Sequence, residues 1–213
     1  MISNIPQNFG VIHFIGIGGI GMSGIAEILH KSGYKIQGSD FNKSKITERL
    51  QKMGIKIFKG HNKTNIKNAR IVVYSSAIKE DNAEILNAKK KFIPIIHRSE
   101  MLGELMRLRQ SIAIAGTHGK TTTTSLIAKL LEQNNFDPTI INGGIISSIG
   151  SNAKLGSGKW MVVEADESDG SFSRLNPTIA IVTNIDLEHM EFHKNESRLE
   201  NAFVNFISSI PFY

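Results

Sequence analysis

The chain has 213 residues, 40% hydrophobic and 21% charged, the profile of a globular protein with one large or two small domains and a buried core. No apolar run approaches the ~20 residues of a membrane-spanning helix. Residues 1–10 carry no secretory signal, and the absence of cysteine excludes disulfides and thiolate metal sites, so a cytoplasmic protein without membrane insertion is expected. The net charge of +6 comes from scattered lysines, with Lys89-Lys90-Lys91 the only tight run, which predicts a solvated face and no nucleic-acid partner.

Val11–Ile17 reads as a buried strand. Ile20–Lys31 follows as a helix with Ile20, Ile25, Ile28 and Leu29 at helical spacing. Tyr34–Gly38 is a second strand, and Ser44–Met53 a helix with Ser44 as its N-cap. Ile55–Phe58 and Ala69–Tyr74 are strands, Asp81–Lys91 a helix, Phe92–Ile96 a strand and Ser99–Arg107 a helix capped by Ser99. Such alternation predicts an α/β fold with a parallel sheet covered on both faces. A second unit starts near Arg109, with strands at Ser111–Ala115, Pro138–Ile141, Trp160–Ala165 and Thr178–Thr183. A helix runs to about Gln133 and another spans Arg198–Ser209. Gly143–Gly158, rich in Gly, Ser and Asn, reads as an irregular loop. About four strands is fewer than a typical sheet, so this second unit reads as incomplete.

The segment Gly116-Thr117-His118-Gly119-Lys120-Thr121-Thr122 puts a glycine-rich turn between a buried strand and a helix. Glycines let successive backbone N–H groups curl around an anion, and the helix N-terminus adds partial positive charge. Lys120 can then reach the β- and γ-phosphates of ATP, and the Thr121 hydroxyl can bind Mg²⁺. The first glycine of the usual pattern would fall at Ile114, so this loop is a shorter variant that opens at Gly116. Two further strand ends carry matching chemistry. Met161-Val162-Val163-Glu164 ends in a carboxylate, with Asp166, Glu167 and Asp169 after it; these cannot all be metal ligands, and one is expected to cap a turn. Thr183-Asn184-Ile185-Asp186-Leu187-Glu188-His189 offers Asn184 and His189, whereas His193 lacks such a context.

A second glycine loop opens the chain. Gly16, Gly18 and Gly21 fit G-x-G-x-x-G after a strand, and Asp40 stands about 20 residues on, where an acid meets a ribose hydroxyl. Alone, the motif fits a dinucleotide such as NAD. Physically it provides for a diphosphate and a ribose, which a nucleoside-diphosphate sugar also carries.

Together these segments resemble the Mur ligase family. The resemblance is carried by GIGGIGMSGIAEIL (Gly16–Leu29), GSD (Gly38–Asp40), SSAI (Ser75–Ile78), RSEML (Arg98–Leu102), AGTHGKTTTT (Ala115–Thr124), EADESDGSF (Glu164–Phe172) and TNIDLEHM (Thr183–Met190), in order along the chain. It implies a Rossmann-like domain over residues 1–108 that holds the UDP of a UDP-sugar rather than NAD, through Gly16, Gly18, Gly19, Gly21, Ser39, Asp40, His61, Ser75 and Ser76. Residues 109–213 would be the first part of a central P-loop ATPase α/β domain, with a third, carboxy-terminal domain beyond this sequence. The implied reaction is ATP-dependent joining of L-alanine to the carboxylate of UDP-N-acetylmuramate through an acyl phosphate, for peptidoglycan precursors. Lys120, Glu164 and His189 would be catalytic, with Mg²⁺ on Thr121, Glu164 and His189. The resemblance also admits a relative that adds a recycled murein peptide to the same sugar nucleotide, or a UDP-sugar- and ATP-binding fragment without catalysis. The GIGGIGMSG form of the first loop favours the alanine-adding type. Several relatives place a carbamylated lysine at the metal site, and no lysine here is assigned that role.

Overall fold

The computed structural model describes residues 10–146 and 149–212. Residues 1–9, read above as free of a secretory signal, lie outside the described residues, as do 147–148 of the glycine-rich segment and residue 213. The chain divides into two compact units after Met101.

The first unit runs β1 (Val11–Ile15), α1 (Ile20–Lys31), β2 (Lys35–Asp40), α2 (Lys45–Lys52), β3 (Lys56–Lys59), β4 (Ala69–Tyr74), α3 (Ala83–Lys90) and β5 (Ile95–His97); α4 (Arg98–Arg107) begins at its end. Its strands form one parallel sheet in the order β3-β2-β1-β4-β5. The chain order reverses between β1 and β4, so the crevice at the carboxyl end of β1 is the expected ligand position. β1 stops two residues short of the expected Ile17 because Gly16 turns at φ +74°. Ser44 caps α2 as expected, and Thr47 returns the bond to the Ser44 amide. The α3 helix starts later than Asp81 because Asn82 is its cap. Ser99 is not a cap: it lies inside α4, and its hydroxyl pairs with His97 Nδ1 at 2.8 Å. Ile15, Ile66, Ala69, Val72, Ile85 and Ala88 form a core between the sheet and α3.

The second unit contains β6 (Gln110–Ala115), α5 (Lys120–Gln133), β7 (Thr139–Ile146), β8 (Ser151–Lys154), β9 (Trp160–Glu164), a 3-10 turn (Ser171–Arg174), β10 (Ile179–Val182), α6 (Met190–His193) and α7 (Glu196–Ser208). The sheet order is β10-β6-β9-β7-β8. β6 lies between two parallel neighbours, β9 and β10. The expectation of an irregular loop over Gly143–Gly158 is corrected. β7 continues to Ile146 and pairs antiparallel with β8, so the described sheet has five strands and not four. Ladder hydrogen bonds outweigh the weak strand preference of Gly, Ser and Asn there, and Ser151, Asn152 and Ala153 are buried by the pairing. Ile112, Ile114 and Val162 pack under Ile127 and Leu131 of α5. Phe172 meets Phe203 and Phe206 of α7 with ring centroids 5.0 and 5.3 Å apart.

Asp137 ties down the start of this hairpin region. Its carboxylate accepts the Ser157 amide and hydroxyl, both at 2.8 Å, and pairs with Lys154 at 3.1 Å. These donors hold its pKa down at about 2, against an ordinary 3.8. A depressed carboxylate contributes stability above its unfolded pKa and loses it as pH falls through the folded value. The side chain is nearly half exposed, so Asp137→Asn is expected to cost only about 1 kcal/mol at pH 7. The difference between variant and parent in urea unfolding should shrink between about pH 4 and pH 2. A difference independent of pH would contradict this account.

Candidate functional site

In the second unit the chain leaves β6 at Gly116, φ +130°, and enters α5 through Gly119, φ +80°. A Cβ on Gly116 would strike the Thr183 hydroxyl and the Asn184 carbonyl, so only glycine lets the loop lie against the end of β10. That strand end then holds the loop. Thr117 N–H donates to the Asn184 carbonyl at 3.1 Å, His118 N–H to Asn184 Oδ1 at 2.9 Å, and the Thr183 hydroxyl to the His118 carbonyl at 2.6 Å. Asn184 is therefore a clamp on the loop. The His118 ring faces Asp186 at 3.3 Å, and Thr122 is exposed on the first turn of α5. The first amides of α5 have no helical acceptor and are available to an anion.

Lys120 Nζ folds over this loop. It donates to the Gly116 and Thr117 carbonyls at 2.5 and 3.1 Å and to Glu167 Oε1 at 2.7 Å. Glu167 is buried; desolvation pushes its carboxyl pKa up, and Lys120 pulls in the opposite direction. Its Oε2 has no hydrogen-bond partner among the described residues. His189 Nε2 is 3.8 Å from Glu167 Oε1, and His193 is buried with Nε2 donating to the Glu167 carbonyl at 3.0 Å. Glu164, the last residue of β9, accepts the Thr121 hydroxyl on Oε1 at 3.1 Å and the Gly143 amide on Oε2 at 2.8 Å. Two hard oxygens side by side at a phosphate loop suit Mg²⁺, which takes few protein ligands and fills its shell with water and phosphate oxygens. Among the described residues no group of three or more His, Asp or Glu could hold a metal by itself. His189 is brought to Glu167, while Thr121 and Glu164 are brought to each other. Asp166 and Asp169 accept the amides of Ser168 and Ser171, which are turn bonds.

In the first unit the glycine loop is held by β2. The Ser39 carbonyl accepts the Gly16 and Ile17 amides, the Gly16 carbonyl accepts the Gly19 amide, and Asp40 Oδ2 accepts the Gly18 amide at 2.8 Å. A Cβ on Gly18 would collide with Asp40 and Thr47, and one on Gly21 with the Arg98 guanidinium. The Ser75–Ile78 turn lies against the loop, with Ile78 Cδ1 3.4 Å from a Cβ on Gly16, and Ser75 and Ser76 follow the end of β4. Ser39 is fully buried, and its hydroxyl donates inward to Glu84 at 2.6 Å. Glu84, itself fully buried, also accepts from Asn65, from the Asn62 amide and from the fully buried His13. Burial alone would raise the Glu84 pKa; His13, Ser39 and Asn65 together hold it below the usual carboxylate value. His61 stands beyond β3, its Nδ1 2.7 Å from Asn82 Nδ2.

The signature described as Mur ligase family, catalytic domain, matches residues 11–110, and that of the Mur ligase middle domain matches residues 114–213. The chain belongs to the Mur ligase family. Within the family it is 57% identical to a UDP-N-acetylmuramate–L-alanine ligase of Roseobacter denitrificans and 58% identical to one of Paracoccus denitrificans. Each alignment takes in 99% of this chain but only 45% and 44% of those proteins. The chain thus spans less than half the length of these curated relatives. Among solved structures, the UDP-N-acetylmuramate-alanine ligase from Thermotoga maritima superposes with TM-score 0.88 at 35% identity, over 94% of this chain and 47% of that one. The UDP-N-acetylmuramate:L-alanyl-gamma-D-glutamyl-meso-diaminopimelate ligase from Neisseria meningitides gives 0.89 at 25% identity, over 96% and 69%. The Rossmann-like first sheet and mixed second sheet are the α/β architecture of these Mur ligases.

Sequence reasoning left Glu167 among the acids that merely follow β9, and passed over Glu84, Asn82 and the side chain of Arg98. A carboxylate three residues past a strand end looks solvated in sequence, and only the fold shows it facing Lys120. One glycine tests the geometry of this Mur ligase site directly. A Cβ on Gly143 would stand 2.5 Å from Glu164 Oε1, and the carboxylate end of a flexible side chain is what must move. Gly143→Ala is therefore expected to change stability by less than about 1 kcal/mol. It should also pull Glu164 from Thr121 and weaken the Mg²⁺-dependent part of ATP binding by roughly fivefold or more. Calorimetry with and without Mg²⁺ checks this; an unchanged Mg²⁺ dependence would show that Glu164 is not at the metal.

Proposed function

We propose that this chain supplies the sugar-nucleotide and ATP-phosphate sites of an enzyme that joins L-alanine to UDP-N-acetylmuramate in peptidoglycan precursor synthesis. Residues 1–108 take the UDP-sugar; residues 109–213 are the first part of the ATP-binding domain. The observation that carries the reading is the Thr121–Glu164 oxygen pair, 3.1 Å apart beside Lys120 on a glycine loop, in a chain 55–58% identical to proteins named as that ligase. Identity of only 24–25% to the murein peptide ligases argues for alanine over a recycled peptide as acceptor. A cytoplasmic setting goes with these substrates; no helix among the described residues is long and apolar enough to cross a membrane.

In this reading the lactyl carboxylate attacks the γ-phosphorus of ATP, the bond to the β-phosphate oxygen breaks and ADP leaves. The amine of L-alanine then attacks the acyl phosphate carbon, inorganic phosphate departs and the amine loses a proton. Two anions must meet in the first step. Lys120 exchanges its carbonyl partners for phosphate oxygens, and the amides at the start of α5 cradle the phosphates. Mg²⁺, held by Thr121 and Glu164 with His189 nearby on Glu167, would neutralise the charge that builds between them. Gly16, Gly18, Gly19 and Gly21 leave room for a diphosphate, and Asp40 stands where it can exchange the Gly18 amide for a ribose hydroxyl.

ATP turnover by the protein carrying this chain should require both UDP-N-acetylmuramate and L-alanine, and Lys120→Ala should lower kcat by roughly 100-fold or more. Turnover supported by a murein tripeptide and not by L-alanine would assign the acceptor differently. Turnover untouched by Lys120→Ala would remove the ATP loop from the mechanism.

A further inference from the structure

In the first unit, the face opposite the glycine loop carries one kind of charge. Strand amino ends and helix carboxyl ends lie on the same side of a parallel sheet joined through helices. There α1 ends at Lys31, α2 at Lys52 and α3 at Lys89-Lys90, while β2 and β3 open on Lys35 and Lys56, all exposed. The acids of residues 10–101 lie elsewhere. Asp40 ends β2, Glu80 and Asp81 precede α3, and Glu48, Glu84 and Glu100 sit in the first turns of their helices, all toward the carboxyl side of the sheet. Glu27 is buried between Lys31 and Arg49. Cations at helix carboxyl ends answer the helix dipole, which accounts for Lys31, Lys52, Lys89 and Lys90. It does not account for Lys35 and Lys56, which open strands.

The same face carries an aromatic ring that the fold does not use. Phe92 follows the end of α3 at φ +53°, the left-handed turn that glycine normally fills after a helix. Its N–H donates to the Lys89 carbonyl at 3.2 Å and the Ile93 N–H to the Ala88 carbonyl at 3.0 Å, which fixes the turn. A bulky side chain is strained in that conformation. Phe92 is 94% exposed, so no burial offsets the strain. Lys89, Lys90 and Lys91 precede it directly, all exposed. A partner must therefore match a broad positive face with a protruding apolar ring. Protein interfaces favour arginine and are poor in lysine, whereas the cations of these helix and strand ends are lysines. A nucleic-acid strand is gripped by successive stacking rings along a groove, and the lysine run here ends in one ring. Lysines spread around an aromatic suit anionic lipid, where each gains from the surface potential and the ring enters the interface. We propose that this face rests on an anionic membrane surface, with Phe92 in the headgroup layer and the lysines over the lipid phosphates. The glycine loop, at the opposite end of the sheet, then faces away from the bilayer.

Co-sedimentation of the chain with vesicles tests this, using phosphatidylcholine alone and phosphatidylcholine mixed with phosphatidylglycerol. The parent should partition onto the mixed vesicles roughly 10-fold or more better than onto phosphatidylcholine, and high salt should release it. Phe92→Gly should weaken that partitioning by roughly fivefold, because the ring no longer enters the interface. The same variant should melt no lower than the parent, because glycine suits the left-handed turn. A merely structural role for Phe92 would lower the melting temperature as well. Lys89→Gln, Lys90→Gln and Lys91→Gln combined should lower partitioning by roughly 10-fold or more, and Lys35→Gln with Lys56→Gln by roughly fivefold, since the whole face contributes. Equal binding to both kinds of vesicle, or none to the anionic ones, overturns the proposal. So does full vesicle binding by Phe92→Gly. A single-stranded RNA oligonucleotide should bind parent and Phe92→Gly alike. RNA binding that exceeds vesicle binding and falls in Phe92→Gly would assign the face to nucleic acid and overturn the lipid reading.

Discussion

A parallel strand that ends inside a covered sheet must turn at once into a helix, and the neighbouring strand end stands in the way. Both units meet this constraint with the same device. Gly16 and Gly116 turn at positive φ where a side chain would be strained, and at Gly116 a Cβ would also run into Thr183. The adjacent strand end then takes the amides of the turn: Ser39 takes Gly16 and Ile17, and Asn184 takes Thr117 and His118. The amides left over belong to the first turn of the helix, which has no internal acceptors. Each loop is thereby rigid on the side facing the sheet and open to an anion on the side facing out.

Two buried carboxylates stabilise these arrangements in different ways. Glu84 has no cation beside it. Its anion is held by neutral donors, and His13 is one of them. Gln37 Nε2 donates both to the Asn65 carbonyl and to His13 Nδ1, which leaves the His13 proton on Nε2, pointing at Glu84. That node joins β1, the end of β2, the segment after β3 and the start of α3, so the elements around the first glycine loop share one buried charge. Glu167 has the opposite design. It has a cation, Lys120, and one oxygen without a partner among the described residues. A buried pair is costly to break on one side only, because the remaining charge stays desolvated. Lys120 is accordingly pinned from below by Glu167 while its upper side rests on loop carbonyls.

The strand–turn–helix openings, the N-cap at Ser44 and the carboxylate ending β9 are legible in the sequence because each rests on local rules: apolar runs, glycine before a helix, a hydroxyl before a helix. β8 is not, since Ser151-Asn152-Ala153-Lys154 has no strand pattern of its own and is recruited by the edge of β7. Asp81 and Ser99 fail as helix starts for a related reason. Several polar residues in a row can each cap, and the backbone chooses Asn82 in one case and turns the hydroxyl toward His97 in the other. At the site, Glu167 and Glu84 are hidden because their partners lie 47 and 71 residues away. Spacing rules do not reach that far. Ser39 shows the converse. Its place at a strand end suggests a ligand contact, yet its side chain faces into the fold.

The groups best suited to hold ligands in these two loops are already engaged. Asp40 sits on the Gly18 amide, Lys120 on two carbonyls and a carboxylate, and Glu164 on the Thr121 hydroxyl and Gly143 amide. Binding through them exchanges one polar partner for another, so each contributes only a net difference, typically ~1 kcal/mol for a neutral bond and more for a charged one.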